Sequence, residues 1–133
     1  LVEGSGVDSG LMLAQYTAAS LVSEAKALSH PASVDNIPTV QHHEDHVSMA
    51  SVSSRVALET VDILADVAAI ELLCGAQGID LRMQAGEIPG AGSLSWWKKI
   101  RACVTVWTAD RTLHPDVEAL GAAVRSGAFH DAR

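Results

Sequence analysis

The chain opens with a glycine-rich stretch, after which apolar residues recur at steps of three and four. That spacing places them on one face of a helix and predicts a helix over residues 11–29. Asp8 and Ser9 come just before it and are predicted N-caps, because their side-chain oxygens can accept from the free N–H groups of a first turn. The helix is predicted to end at His30-Pro31, since a residue before proline disfavours the α conformation.

A loop over residues 31–43 precedes a longer predicted helix over residues 45–77. Gly78 is predicted to end this helix, because glycine readily takes the left-handed conformation of a C-terminal cap. At 1.5 Å per residue the helix would span about 50 Å, which exceeds the width of a small globular domain. Such a helix is expected in a large bundle or in an assembly. Its apolar stripe consists of Val52, Val56, Ile63, Val67, Ile70 and Cys74.

Shorter elements are predicted for the rest of the chain. Glycines and a proline make residues 80–92 a connection, and Ser93 is the predicted cap of a helix over residues 94–108. A turn segment leads to a last helix over residues 117–126, with Gly127 as its stop. Because no stretch alternates apolar and polar residues as a strand does, the predicted fold class is all-α.

Charge and composition exclude several kinds of partner. The chain has 16 Asp and Glu against 9 Lys and Arg, a net charge of -7. Nucleic acids and anionic membranes attract basic surfaces, so neither is an expected partner. No run of 18 apolar residues predicts a membrane span. The sequence begins at Leu1 and not at methionine, and we therefore expect a piece of a larger protein.

The two cysteines give no sign of an oxidising environment. Cys74 and Cys103 are too few for a disulfide framework and too far apart for a CxxC motif. Both are predicted to be buried thiols, since free cysteine behaves as a small hydrophobic residue. A reducing, cytoplasmic location is the expectation.

Three histidines crowd into residues 42–46, where a metal site is the first hypothesis. A zincin needs the pattern HExxH, but His42, four residues before His46, is followed by His43 and not by glutamate. A zinc deaminase needs HxE and a later PCxxC, and the second motif is missing. We therefore predict no metal.

A structural role for the same cluster is the alternative. Glu44 and Asp45 lie where the long helix is predicted to begin, and negative charge is favoured there by the helix dipole. Asp45 would serve as the N-cap. This hypothesis treats the cluster as a solvated helix start without chemistry.

Several motifs of the chain resemble segments of one enzyme family. Residues 2–12, VEGSGVDSGLM, resemble a segment that reads roughly VEGGGLNSGFM in histidine ammonia-lyases. Residues 30–39, HPASVDNIPT, resemble their HPASVDSIPT, and residues 44–50 match their EDHVSMA. The similar segments occur in the same order over nearly the whole chain. The chain is thus identified as a member of the aromatic amino acid ammonia-lyase superfamily, closest to histidine ammonia-lyases.

The resemblance implies a fold and a larger assembly. Residues 1–133 would be the C-terminal helical segment of a larger lyase chain, within a bundle of long helices and a cytoplasmic homotetramer. The family uses an electrophilic methylidene-imidazolone group that forms from Ala-Ser-Gly. Since that tripeptide does not occur here, the group would belong to the missing N-terminal part. The 133 residues alone are therefore predicted to be inactive.

The resemblance also implies four site residues. Glu44 matches the family's active-site glutamate, where phenylalanine ammonia-lyases typically have glutamine. Met12 matches a methionine that lines the side-chain end of the substrate pocket. His42 and His43 stand where the family has asparagine and glutamine. These two departures differ from amides in charge and in geometry.

Three functions remain open at this point. The first is non-oxidative deamination of L-histidine to urocanate and ammonia by the full-length protein. The second is a lyase or an aminomutase that acts on tyrosine or phenylalanine. The third is a catalytically inactive helical assembly module.

Overall fold

The computed structural model describes residues 8–44 and 46–130, and these residues form four α-helices. Helix α1 spans Met12–Leu28, α2 spans Ala50–Gln84, α3 spans Ala91–Cys103 and α4 spans His114–Arg125. A short 3-10 turn, Ala32–Val34, follows α1. Within the described residues there is no strand beyond an isolated bridge between Thr39 and Glu44. The predicted all-α class is confirmed.

The start of α1 differs from the prediction. Neither Asp8 nor Ser9 caps the helix, because the helix begins at Met12 and its N-cap residue, Leu11, makes no side-chain cap hydrogen bond. Gly10, with φ +59°, turns the chain into the helix. A left-handed backbone of this kind suits glycine, which has no Cβ to clash.

Helix α2 begins and ends later than predicted. Its N-cap residue is Met49, four residues after the predicted cap Asp45, so the predicted cap position is wrong. Asp45 itself lies outside the described residues. Gly78 does not end the helix, which continues to Gln84. At 1.5 Å per residue, its 35 residues span about 52 Å.

The last two helices also have shifted bounds. Helix α3 begins at Ala91, before the predicted cap Ser93, and ends at Cys103 and not at Thr108. Helix α4 begins at His114, with a proline in its first turn, where a missing N–H costs nothing.

Helix α2 forms the centre of the described fold, and the other three helices pack against it. One buried cluster joins α2 to α3 and α4, and a second joins α2 to α1 through Trp107. The first cluster consists of Ala69, Leu73, Ala76, Ile100, Val104 and Leu120. The second consists of Leu11, Ala14, Ile70 and Trp107.

A buried polar network holds the C-terminal half of α2 against α3. The Asp80 carboxylate accepts from the indole N–H of Trp97 at 2.7 Å and from Nε of Arg101 at 2.9 Å. About one helical turn earlier on α2, the Gln77 side chain donates to the Trp107 carbonyl at 2.7 Å and accepts from the Trp107 backbone N–H at 3.0 Å. The Asp80 and Arg101 side chains are 7% and 9% exposed, so each charge is compensated by the other inside the fold.

The two cysteines differ in exposure. Cys74 is half-buried on α2, and burial raises the pKa of its thiol because the charged thiolate is poorly solvated there. Cys103 is exposed at the end of α3, so its predicted burial is wrong. In the described part of the chain, no helix is both long and apolar enough to cross a membrane.

Candidate active site

The segment that carries His42, His43 and Glu44 is a tight turn closed by backbone hydrogen bonds. The N–H of Thr39 donates to the Glu44 carbonyl at 3.0 Å, and the N–H of Glu44 donates to the Thr39 carbonyl at 3.2 Å. Inside the turn, the N–H of His43 donates to the Val40 carbonyl at 3.0 Å. These hydrogen bonds fix the position of the Glu44 backbone.

Three successive residues of this turn have left-handed backbones. The φ angles are +51° for Val40, +55° for Gln41 and +69° for His42. This conformation costs about 1–2 kcal/mol for a residue with a Cβ. Strain of that kind persists only where surrounding structure holds it, and it is often found at functional sites.

The side chains of the turn face solvent in the described structure. His42, His43 and Glu44 are all exposed, and the Glu44 carboxylate makes no hydrogen bond or ion pair with another described residue. Further along, the Asn36 side chain accepts from the N–H of Val47 at 2.8 Å and ties the chain that leads into α2. A ligand or another protein segment that packs on this turn would therefore contact a carboxylate and two imidazoles.

Met12 lies on a different element, in the first turn of α1. Its side chain is 50% exposed, whereas Leu11 and Ala14 on either side of it are 7% and 3% exposed. The backbone N–H groups of Ser9 and Gly10, just before α1, donate to the carboxylate of Asp110. Sequence reasoning missed this contact, since about a hundred residues separate its partners.

A cavity of about 480 Å³ lies beside α1 and is mostly apolar. Leu13, Ile70, Trp107 and Val117 contribute to its walls. Met12, His42, His43 and Glu44 do not line it. Because the four predicted site residues are exposed on two separate elements, the described residues alone enclose no pocket around Glu44.

The described residues show neither a cluster of potential metal ligands nor the precursor of the implied electrophile. Among residues 8–44 and 46–130, no three potential ligand side chains are grouped to hold a metal ion; the absence of a metal stays a prediction. The methylidene-imidazolone group does not fit this chain either, because its precursor Ala-Ser-Gly is absent.

These features define a class of protein. Three shorter helices pack on one long helix and several large apolar side chains remain exposed, as is expected of one segment from a larger helical protein. The sequence profile of the family described as aromatic amino acid lyase matches residues 1–102. The chain therefore belongs to the aromatic amino acid lyase family.

Individual relatives agree with this membership. A histidine ammonia-lyase of Desulfotalea psychrophila is 47% identical over 131 residues, covering 98% of this chain and 25% of the relative. The crystal structure of histidine ammonia-lyase from Trypanosoma cruzi superposes with a TM-score of 0.88 at 40% identity, covering 96% of this chain and 25% of that one. Tyrosine aminomutase from Streptomyces globisporus gives 0.87 at 28% identity, with 95% and 24% covered. The chain spans about a quarter of the length of these relatives.

Proposed function

We propose that residues 1–133 are the C-terminal segment of a histidine ammonia-lyase, which deaminates L-histidine to urocanate and ammonia. The support is the name shared by relatives that are 44–50% identical over most of this chain. In this reaction a β-proton and the α-amine leave the amino acid, and an α,β-unsaturated acid remains. Since the relatives are about four times longer, the activity belongs to the full-length protein.

The observation that carries the proposal is the exposed Glu44 carboxylate on its closed turn. Its backbone is fixed by Thr39, and its side-chain oxygens are available to a ligand. An imidazole N–H can donate to a carboxylate, and a charge-assisted hydrogen bond of this kind contributes about 1.5–3 kcal/mol. Glu44 would bind the side chain of the substrate through this hydrogen bond and would relay protons to and from that side chain.

The other three residues would complete the substrate's surroundings. The Met12 thioether would pack against the side-chain end of the substrate, as a flexible and polarisable group can do. His42 and His43, beside Glu44, replace two amides of the related enzymes and would contact the substrate with imidazole nitrogens. They can donate or accept according to tautomer.

The remaining machinery would come from outside these 133 residues. The methylidene-imidazolone group supplies an electrophile to the substrate, and the rest of the lyase chain would carry it. A homotetramer is part of the proposal, because exposed apolar residues line α1 and α2. The proposal places the enzyme in the cytoplasm, where reduced thiols such as Cys74 and Cys103 persist.

A lyase or aminomutase for tyrosine or phenylalanine is the second candidate. Two observations favour it: the imidazoles of His42 and His43 where histidine ammonia-lyases have amides, and the structural similarity to a tyrosine aminomutase. A tyrosine hydroxyl could donate to Glu44 or bond to either imidazole. We favour histidine as the substrate because this chain is 47% identical to a histidine ammonia-lyase and 28% identical to the tyrosine aminomutase.

A segment exchange tests the proposal. The matching quarter of the Desulfotalea psychrophila enzyme is replaced by residues 1–133, so that the host supplies the electrophile. We expect urocanate from L-histidine, followed by its ultraviolet absorbance, and loss of activity on Glu44→Ala in the same chimera. A chimera that folds with its host's oligomeric state yet forms cinnamate or coumarate in preference to urocanate contradicts it.

A further inference from the structure

The start of α1 is held by a carboxylate from the far end of the chain. The N–H groups of Ser9 and Gly10 donate to the two oxygens of Asp110 at 2.7 and 2.9 Å. The N–H of Asp110 in turn lies 3.5 Å from an oxygen of Asp8. These two N–H groups lie just before α1, whose N-cap residue is Leu11, so they do not belong to the first turn of the helix. Asp110 therefore anchors the backbone that leads into α1 and does not cap the helix itself.

Asp110 is carried by a segment that is itself braced. The guanidinium of Arg111 lies over the Trp107 ring, 4.9 Å from its centroid, and 2.6 Å from Oδ2 of Asp116 on α4. The latter is an ion pair without hydrogen-bond geometry, since that oxygen has no hydrogen-bond partner among the described residues. The backbone of Trp107 is bonded on both sides to Gln77 of α2. Contacts with α2 and α4 thus fix the position of the segment that carries Asp110.

Met12 follows the anchored residues Ser9 and Gly10 in the sequence and is the first residue of α1. It is the second residue after Gly10, and its half-exposed side chain points away from the core that Leu11 and Ala14 enter. No described hydrogen bond joins the Met12 side chain to Asp110. Any influence of Asp110 on Met12 therefore runs through the backbone of residues 9–11.

We propose that Asp110 is a positioning residue for the substrate pocket, because its grip on Ser9 and Gly10 fixes where Met12 meets the substrate. This inference rests on the proposed function, in which Met12 lines the side-chain end of the pocket. Without the carboxylate the first turn of α1 shifts, and the contact with the substrate weakens in the ground state and the transition state alike. Loss of such uniform binding raises KM and leaves kcat nearly unchanged.

The test uses the full-length protein that carries this chain. Asp110→Ala is expected to raise KM for histidine about tenfold with kcat within about twofold of wild type. Asp110→Asn has the same shape and keeps one acceptor, so it gives a smaller rise and covers the case in which the alanine variant does not fold. The matched control is Asp66→Asn, whose carboxylate also joins distant segments, through Arg125 at 2.8 Å. It leaves KM unchanged.

A double variant separates positioning from general stability. If Asp110 acts through Met12, the KM of Met12→Ala combined with Asp110→Asn equals that of Met12→Ala alone within about twofold. The ¹³C-methyl resonance of Met12, assigned with Met12→Leu, shifts in Asp110→Asn and stays in place in Asp66→Asn. This spectrum requires no turnover.

Two results overturn the proposal: an unmoved Met12 resonance with unchanged KM in Asp110→Asn, or effects that multiply in the double variant. A wild type that turns over tyrosine or phenylalanine contradicts the histidine assignment only. The KM comparison is then made on that amino acid, so the two failures are distinguishable.

Discussion

The Glu44 carboxylate lies at the end of a turn whose backbone is closed by Thr39, and its side chain is exposed. Packed beside a phenyl ring, this carboxylate would lose water and gain no partner, which is costly. Beside an imidazole it gains a charge-assisted hydrogen bond of about 1.5–3 kcal/mol. At 1.4 kcal/mol per tenfold, such a contact in the proposed enzyme would favour histidine over phenylalanine by about one to two orders of magnitude.

Replacement of Glu44 by glutamine is the direct probe of this contact. In the full-length enzyme, Glu44→Gln is expected to lower kcat/KM for histidine by about 10- to 100-fold, since the charge-assisted bond is lost. The values for phenylalanine and tyrosine change far less. Glu24→Gln, an exposed glutamate of α1, is the control and leaves all three values unchanged. An equal loss for the three amino acids would refute the role given to Glu44.

At the scale of single residues, the roles of Glu44, Met12, His42 and His43 rest on the resemblance alone and stay predictions. Periodicity placed Met12 near a helix start, but nothing in its spacing predicts contact with a substrate. The histidine spacing weighed against zinc without assigning any role to His42 or His43. The carboxylate of Asp110 on Ser9 and Gly10 could not be predicted, because local pattern carries no information on partners about a hundred residues apart.

At the scale of elements, the helices were predictable and their ends were not. Glycine at position 78 is a poor helix former, yet α2 continues through it because Gln77 and Asp80 on either side are bonded to Trp107, Trp97 and Arg101. Tertiary contacts of this kind outweigh the cost of about 1 kcal/mol for a helical glycine. The buried partners come from later in the chain, so the local sequence does not reveal them.

The end of α3 follows from the same contacts. Residues 104–108 were predicted as helix, but Val104 and Trp107 leave it and enter the core, with 4% exposure each. The backbone of Trp107 is then paired with the Gln77 amide in place of helical partners. Side-chain periodicity alone does not distinguish this extended segment from one more helical turn.

The buried ion pair of Arg101 with Asp80 should contribute more to stability than the exposed ion pair of Arg82 with Glu87. Arg101→Ala leaves the buried Asp80 charge without its partner, which costs about 3–5 kcal/mol. Arg82→Ala removes an ion pair whose side chains are 71% and 55% exposed, worth at most about 1 kcal/mol. We expect a several-fold larger fall in Tm for Arg101→Ala when thermal unfolding of the full-length protein is followed. Equal falls would show that the network does not hold α2 to α3.

At the scale of the whole molecule, the described helices leave several large apolar side chains exposed. Leu13 and Tyr16 on α1 and Leu58, Val61 and Leu64 on α2 are each more than half exposed. Exposed apolar patches mark interaction surfaces. In isolation, residues 1–133 are therefore expected to self-associate or to lose fixed packing. Light scattering and thermal unfolding check this, and a compact monomer with a sharp cooperative transition would contradict it.

The same 133 residues are expected to be inactive on their own. They contain no Ala-Ser-Gly precursor of the electrophile and enclose no pocket around Glu44 within their described part. Incubation with L-histidine should give no more urocanate than the Glu44→Ala variant of the same chain. Turnover clearly above that control would mean that the chain holds chemistry of its own.

The specificity constant of the full-length protein on histidine, tyrosine and phenylalanine tests the central claim most directly. The three products are distinguished by their ultraviolet absorbance, under one buffer and one enzyme preparation. We predict that kcat/KM for histidine exceeds the other two by about tenfold or more, from the Glu44 contact. A wild-type enzyme that prefers tyrosine or phenylalanine would contradict the claim, while its membership of the aromatic amino acid lyase family would stand.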